Sequence, residues 1–114
     1  MQLSQEIVKG SLKFIILSIL LSQDEYGYSL AQKIRHKSDD LVKAGEGSLY
    51  PALYKLEAEK LITSYWDATS TPKRKFYAIT DKGKKLLISE APKIAQFRKL
   101  LSLFLAPELK AIYA

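Results

Sequence analysis

Apolar residues near the start of the chain fall at Leu12, Ile15, Ile16, Ile19 and Leu20. This is the i, i+3, i+4, i+7, i+8 spacing of one helical stripe, and it predicts a first helix ending near Ser22. Gln23 to Glu25 form a polar break, after which Leu30, Ala31 and Ile34 predict the buried side of a second helix over about Tyr28 to Lys37. Lys33, Arg35 and Lys37 take its outer side. Gly45 and Gly47 mark the next turn, and Ser48 reads as the N-cap of a third helix carrying the stripe Leu49, Leu53, Leu56. Pro51 then belongs to that helix's first turn or kinks it.

At Leu61 the period changes. Ile62, Ser64 and Trp66 alternate with Thr63 and Tyr65, and Lys75 to Ile79 is a second run of this kind, so two strands are expected. Asp67 to Lys73, rich in Thr, Ser and Pro, reads as the loop of their hairpin. Thr80 is a suitable N-cap for a last helix. Leu86 and Leu87, then Ile94, Phe97, Leu101 and Phe104 at alternating spacings of three and four, give that helix an apolar stripe longer than a small domain can cover. Pro92 is expected to kink or restart it and Pro107 to end it.

Three helices followed by a two-stranded ribbon is the order of a winged helix-turn-helix. The fold class expected is therefore mainly α with a small two-stranded β-wing, residues 1–80 forming the winged domain and 81–114 a C-terminal dimerisation helix. The chain's 114 residues suit one such core with an appendage.

Charge sharpens this picture. The net charge is +6, yet residues 1–66 carry eight Lys/Arg against eight Asp/Glu, while residues 67–114 carry ten against four. A basic surface confined to one part of the chain suggests a polyanionic partner. Taking about 100° per residue, Gly47, Pro51, Tyr54, Lys55 and Ala58 face away from the core on the third helix. That face is slim, aromatic and basic, as a helix entering a major groove requires. Ser48, Tyr50 and Tyr54 add hydroxyls. Lys73, Arg74 and Lys75 stand in a row at the hairpin, where strand alternation sends neighbours to opposite faces. There they are placed to reach phosphates, or to keep a ribbon edge from pairing.

Other chemistry finds little footing. No cysteine is present, so disulfides, thiolate metal sites and cysteine nucleophiles are excluded. The one histidine, His36, lies between Arg35 and Lys37 on a polar helix face. The pairs Asp39/Asp40 and Glu57/Glu59 lack the histidine company of a metal site, and Gly45 and Gly47 do not make a phosphate-cradling loop. Neither an enzyme nor a metal or organic cofactor is expected. The apolar run Leu12–Leu21 is shorter than the roughly 20 residues of a membrane span and is followed by no small-residue cleavage site, so a cytoplasmic protein with no membrane partner is expected.

The strings YGYSLAQKI (26–34), EGSLYPALYKLEAEKLI (46–62) and PKRKFYAITDKGKKLL (72–87), in this order and spacing, resemble the PadR family of transcriptional regulators. The resemblance implies that the helix bearing Ser48, Leu49, Tyr50 and Pro51 reads DNA and that Arg74 and Lys75 belong to the wing. It also implies a homodimer in which the C-terminal helix packs on the partner's N-terminal helix. The single helix available in 81–114 is similar to the short branch of that family. A small aromatic effector held at the dimer interface is a further implication.

The resulting expectation is a repressor that binds double-stranded operator DNA through Ser48, Tyr50, Pro51, Tyr54, Lys55, Lys73, Arg74 and Lys75. Ile94, Phe97, Leu101 and Phe104 would form the dimer interface, and Phe14, Phe97, Leu101 and Phe104 a candidate effector pocket. The alternative from another class is a winged-helix protein–protein interaction module without specific DNA binding.

Overall fold

The computed structural model describes residues 5–42 and 46–113, with side chains over 10–42 and 47–105. The element order is α1 (Gln5–Ser22), β1 (Glu25–Tyr26), α2 (Gly27–Lys37), α3 (Glu46–Ala58), β2 (Ile62–Asp67), β3 (Arg74–Ile79) and α4 (Asp81–Tyr113). Residues 1–84 and 85–114 form two units, described in turn.

In the first unit the helical stripes converge on one core: Leu12, Ile16, Leu17 and Leu20 from α1, Leu30 and Ile34 from α2, and Leu49, Leu53 and Leu56 from α3. Leu61, Ile62 and Tyr77 close it from the sheet side. The α1 stripe is rotated from the expected one, since Leu17 is fully buried while Ile15 and Ile19 are half-buried. Each fully buried side chain of this size stabilises by about 1.5–3 kcal/mol.

The hairpin has a third strand that its own alternation does not announce. β1 pairs antiparallel with β3 (Glu25↔Tyr77, Tyr26↔Phe76), and β2 pairs with the other edge of β3 (Ser64↔Tyr77, Tyr65↔Phe76, Asp67↔Arg74), giving the order β1-β3-β2. Two residues are too few for a period to show, and the break around Glu25 reads as a loop by composition.

The helices end in defined ways. Backbone N–H groups of Asp39 and Asp40 return to the His36 and Arg35 carbonyls after α2, and those of Lys60 and Leu61 to the Glu57 and Leu56 carbonyls after α3. Both are Schellman closures, with Asp39 (φ 49°) and Lys60 (φ 62°) in the left-handed position usually given to glycine. α3 begins at Glu46, so Ser48 lies in its first turn and is not the N-cap, and Gly47 is helical. Gly45, the other expected turn glycine, lies outside the described residues. Pro51 is inside α3, where the bond it cannot donate would have gone to the Gly47 carbonyl near the helix start.

Thr80 caps α4 as expected: its Oγ1 accepts from the Gly83 N–H at 3.1 Å and donates to the Lys60 carbonyl at 2.7 Å. Gly83 is buried against Leu61 and the end of β3, and a Cβ there would collide with the Leu61 carbonyl oxygen and lie 2.8 Å from Ile79 Cγ1.

The second unit is the rest of α4. The helix passes Pro92 and Pro107 without a break and runs to Tyr113, correcting the expected restart and stop. The carbonyl that Pro92 leaves unbonded is that of Ile88, an exposed residue, so water can reach it while the flanking turns keep their own ladder. Ile94, Phe97, Leu101 and Phe104 are 43%, 60%, 41% and 69% exposed, and Ile88, Leu100, Leu103 and Leu105 are exposed beside them. Among the described residues no helix is long and apolar enough to cross a membrane.

Candidate nucleic-acid interface

The sequence of α3 sorts its two sides cleanly. Leu49, Leu53 and Leu56 are buried, and Gly47, Tyr50, Pro51, Tyr54, Lys55 and Ala58 are exposed. Ser48 is half-exposed in the first turn. The outer face therefore carries two tyrosines and a lysine among glycine, proline and alanine, so backbone and short side chains can approach a flat or grooved partner closely. Tyr54 is 77% exposed, whereas Tyr50, one turn earlier, is 45% exposed and lies against Gly27 at the start of α2.

The hairpin stands beside α3. The Ser64 hydroxyl donates to the Glu57 carboxylate, tying β2 to the last turns of α3. Tyr77, paired with Ser64 one strand over, is buried on the same face of the sheet. Burial pushes its phenol pKa up, and the charges of Glu57 and Tyr50 push it the same way.

Alternation then decides which hairpin residues share the α3 side. Glu25, Tyr77 and Ser64 form one row across the three strands, facing the core, and Lys75 and Trp66, paired in register, continue that face toward the tip. Tyr26, Phe76 and Tyr65 form the opposite row, with ring centroids 5.5 Å and 5.8 Å apart, and Arg74 and Asp67 continue it.

The three basic wing residues are thus separated. The Lys75 ammonium lies 5.8 Å above the Tyr77 ring, on the α3 side. The Arg74 guanidinium lies 4.6 Å over the Tyr26 ring on the far side, a cation–π contact. Across from it, hydrogen bonds from the Thr69 hydroxyl and N–H, with the Arg74 charge, hold the Asp67 carboxyl below its ordinary range. Lys73 is exposed in the loop. Trp66, 64% exposed beside Lys75, belongs with this group although composition alone gave no reason to select it. The signal that finds it is register: once Lys75 and Trp66 are paired, both must take the α3 side.

The hairpin is anchored by a buried carboxylate. Glu25 is 4% exposed and accepts from Gln23 Nε2 (2.7 Å), Ser29 Oγ (2.5 Å) and the Lys33 ammonium. Burial would push its pKa up, but the hydrogen bonds from Lys33, Ser29 and Gln23, with the Lys33 charge, outweigh it and hold the carboxyl below its usual value. On the outer face the Tyr65 hydroxyl donates to Asp24 at 2.6 Å, which raises the Tyr65 pKa.

The remaining expected site residues lie elsewhere. Phe14 is half-buried on α1, and Ile94, Phe97, Leu101 and Phe104 are exposed on the second unit. His36, Asp39 and Asp40 are exposed, and among the described residues no cluster of His, Asp and Glu has the makings of a metal site.

Comparison with known proteins gives a consistent result. Residues 16–89 match the profile of the transcriptional regulator PadR-like family. A transcriptional regulator from Clostridium thermocellum is 33% identical, with a TM-score of 0.81 over 88% of this chain and 98% of that one. A PadR-like transcriptional regulator from Bacillus cereus is 35% identical, with a TM-score of 0.77 over 89% of this chain and 97% of that one. Bacillus subtilis PadR, solved in complex with operator DNA, is 30% identical with a TM-score of 0.61, over 68% of this chain and 45% of that one.

Proposed function

The chain belongs to the PadR-like family of transcriptional regulators, and from that premise we propose that it is a cytoplasmic repressor that binds operator DNA as a homodimer. The observation that carries the reading is a slim, exposed α3 face beside a basic hairpin that Ser64 ties to Glu57 of the same helix. The Bacillus subtilis relative in complex with operator DNA supports it.

In this reading residues 1–80 are the DNA-binding domain. Ser48, Tyr50, Pro51, Tyr54 and Lys55 approach base edges and the adjoining backbone in the major groove, and these contacts set sequence preference. Lys73, Arg74 and Lys75 meet phosphates and set affinity without reading sequence. In this reading Lys75, on the α3 side of the sheet, is the principal wing contact, and Arg74, over Tyr26 on the far face, the lesser one. Trp66 lies where its ring would pack on the sugar–phosphate backbone beside Lys75.

Residues 81–114 are the dimerisation helix, joined through Ile94, Phe97, Leu101 and Phe104 to a second copy. Covering these four, exposed in the single chain, removes an unfavourable apolar surface. Two such domains would hold half-sites about 34 Å apart, one helical turn of DNA. A small aromatic effector would stack between Phe14 of one copy and Phe97, Leu101 and Phe104 of the last helix of the other, and by linkage operator DNA and effector would weaken each other by the same factor.

The test is selection of bound duplexes from a random pool with the purified protein, followed by affinity measured against salt. A recurrent two-half-site sequence, bound with steep salt dependence, is the expected result. Equal binding to every duplex, or none, would favour an interaction module that carries its basic face incidentally.

A further inference from the structure

We infer that Gly27 is a positioning residue for the DNA-reading helix: the side chain it lacks is the seat of the Tyr50 ring. The inference rests on the proposed DNA-binding role of α3 and adds to it a residue outside that helix.

Nothing in the backbone asks for glycine at this position. Gly27 opens α2, and no glycine among the described residues has a positive φ. On helix propensity alone, alanine is the better residue. The reason lies in space. A Cβ on Gly27 would stand 2.7 Å from the Tyr50 hydroxyl oxygen and 3.1 Å from its Cε1 and Cζ, and these are the three nearest atoms it would meet. The phenol end of Tyr50 therefore lies against a bare Cα.

The seat is firm. Tyr26, the preceding residue, is paired with Phe76 in the sheet, and the Glu25 carboxylate two residues back is held by Gln23, Ser29 and Lys33. The start of α2 is thus locked to the hairpin on one side while it supports α3 on the other. What it supports is a tyrosine held at its phenol end yet still 45% exposed. Tyr54 on the same face is 77% exposed. An aromatic fixed before binding loses little conformational freedom when it contacts a partner. Tyr50 is the pre-organised contact of the pair, and Gly27 is what fixes it.

Adding a methyl group at Gly27 meets the far end of a side chain, which can swing aside while the backbone stays. The fold should survive and the contact should not. The experiment uses the full chain and compares Gly27→Ala, Tyr50→Ala and the double variant for melting temperature. It also compares their affinity for the selected operator duplex and for a scrambled duplex of equal length. Gly27→Ala is expected to melt within a few degrees of wild type yet lose operator preference roughly tenfold, the scale of one good base-edge contact. Its binding to scrambled duplex should not change. The double variant should be no worse than Tyr50→Ala, because the clash disappears with the ring.

Should Gly27→Ala fail to fold, the double variant decides: recovery of the fold supports the seat, and continued unfolding overturns it. Wild-type operator preference in Gly27→Ala, or losses that simply add in the double variant, would also overturn it. A wild-type protein with no preference among duplexes would instead defeat the DNA-binding reading itself, before any variant is made.

Discussion

The two units of this chain hide their apolar residues to different degrees. In residues 1–84 the leucines and isoleucines of three helices meet over one core, and the large apolar side chains left exposed are mainly aromatics on α2, α3 and the hairpin, with Leu21 and Leu41 besides. In residues 85–114 the order is reversed: Phe97, Leu103 and Phe104 are each 60% exposed or more, and no helical partner lies within the unit. The first unit buries its aliphatic side chains within itself, and under the proposed function the exposed aromatics of α3 serve recognition. The second presents a surface that water disfavours, which under the proposed function a second copy covers. The same amino-acid types thus mean different things according to whether the chain itself supplies their neighbours.

The largest effect should come from attacking that second surface. Leu101→Asp with Phe104→Asp places charge in the proposed dimer interface, and the protein should sediment as a monomer or become insoluble, whereas wild type should be a dimer at micromolar concentration. If the variant remains a dimer, the stripe is not the interface.

Next is the join where α4 begins. Gly83→Ala forces a methyl group onto the Leu61 carbonyl, which as backbone cannot swing aside, and onto Ile79. Thermal or denaturant unfolding should show a loss of about 3 kcal/mol, the upper part of the range for overpacking. The contrast with Gly27, whose neighbour is a movable side-chain end, sharpens the account: similar substitutions, one felt in stability and the other in binding.

Glu25→Gln tests the anchor of the hairpin. Its folded pKa is held below the unfolded value, so its contribution is fully present above the unfolded carboxylate range and is lost as pH falls through the folded value. At neutral pH the variant should lose about 1.5 kcal/mol, the scale of a hydrogen bond to a charged group. The gap from wild type should close on acidification. A constant gap across the acid limb would mean that Glu25 acts through shape alone.

Smallest is the wing. Lys75→Ala should reduce the slope of log affinity against log salt by about 1, equally for operator and scrambled duplex. Arg74→Ala should reduce it less, because Arg74 stacks on Tyr26 on the far face. Equal effects would show that sheet alternation does not govern which wing residue meets DNA.

Much of this was legible in the sequence. The stripes of α2 and α3, the change of period at Leu61 and the long apolar run of α4 follow from spacing, because each is repeated often enough for a period to emerge, and the Thr80 cap follows from residue type. What escaped was set by tertiary contact. β1 is two residues long and exists because β3 offers it an edge. The burial of Leu17 in place of Ile15 and Ile19 depends on the angle at which α1 meets the core. From local rules Pro92 reads as a kink or restart and Pro107 as a stop, yet a long helix tolerates the bond each one removes. The seat of Tyr50 is a meeting of residues 23 positions apart, which no local pattern announces.

The most direct test is the mass of the complex between purified wild-type protein and a selected duplex, taken to saturation by light scattering at moderate salt. The account predicts two chains per duplex carrying two half-sites one helical turn apart, and dissociation of that complex as salt is raised. Saturation at one chain per duplex, or a complex formed equally well on scrambled DNA, would contradict it.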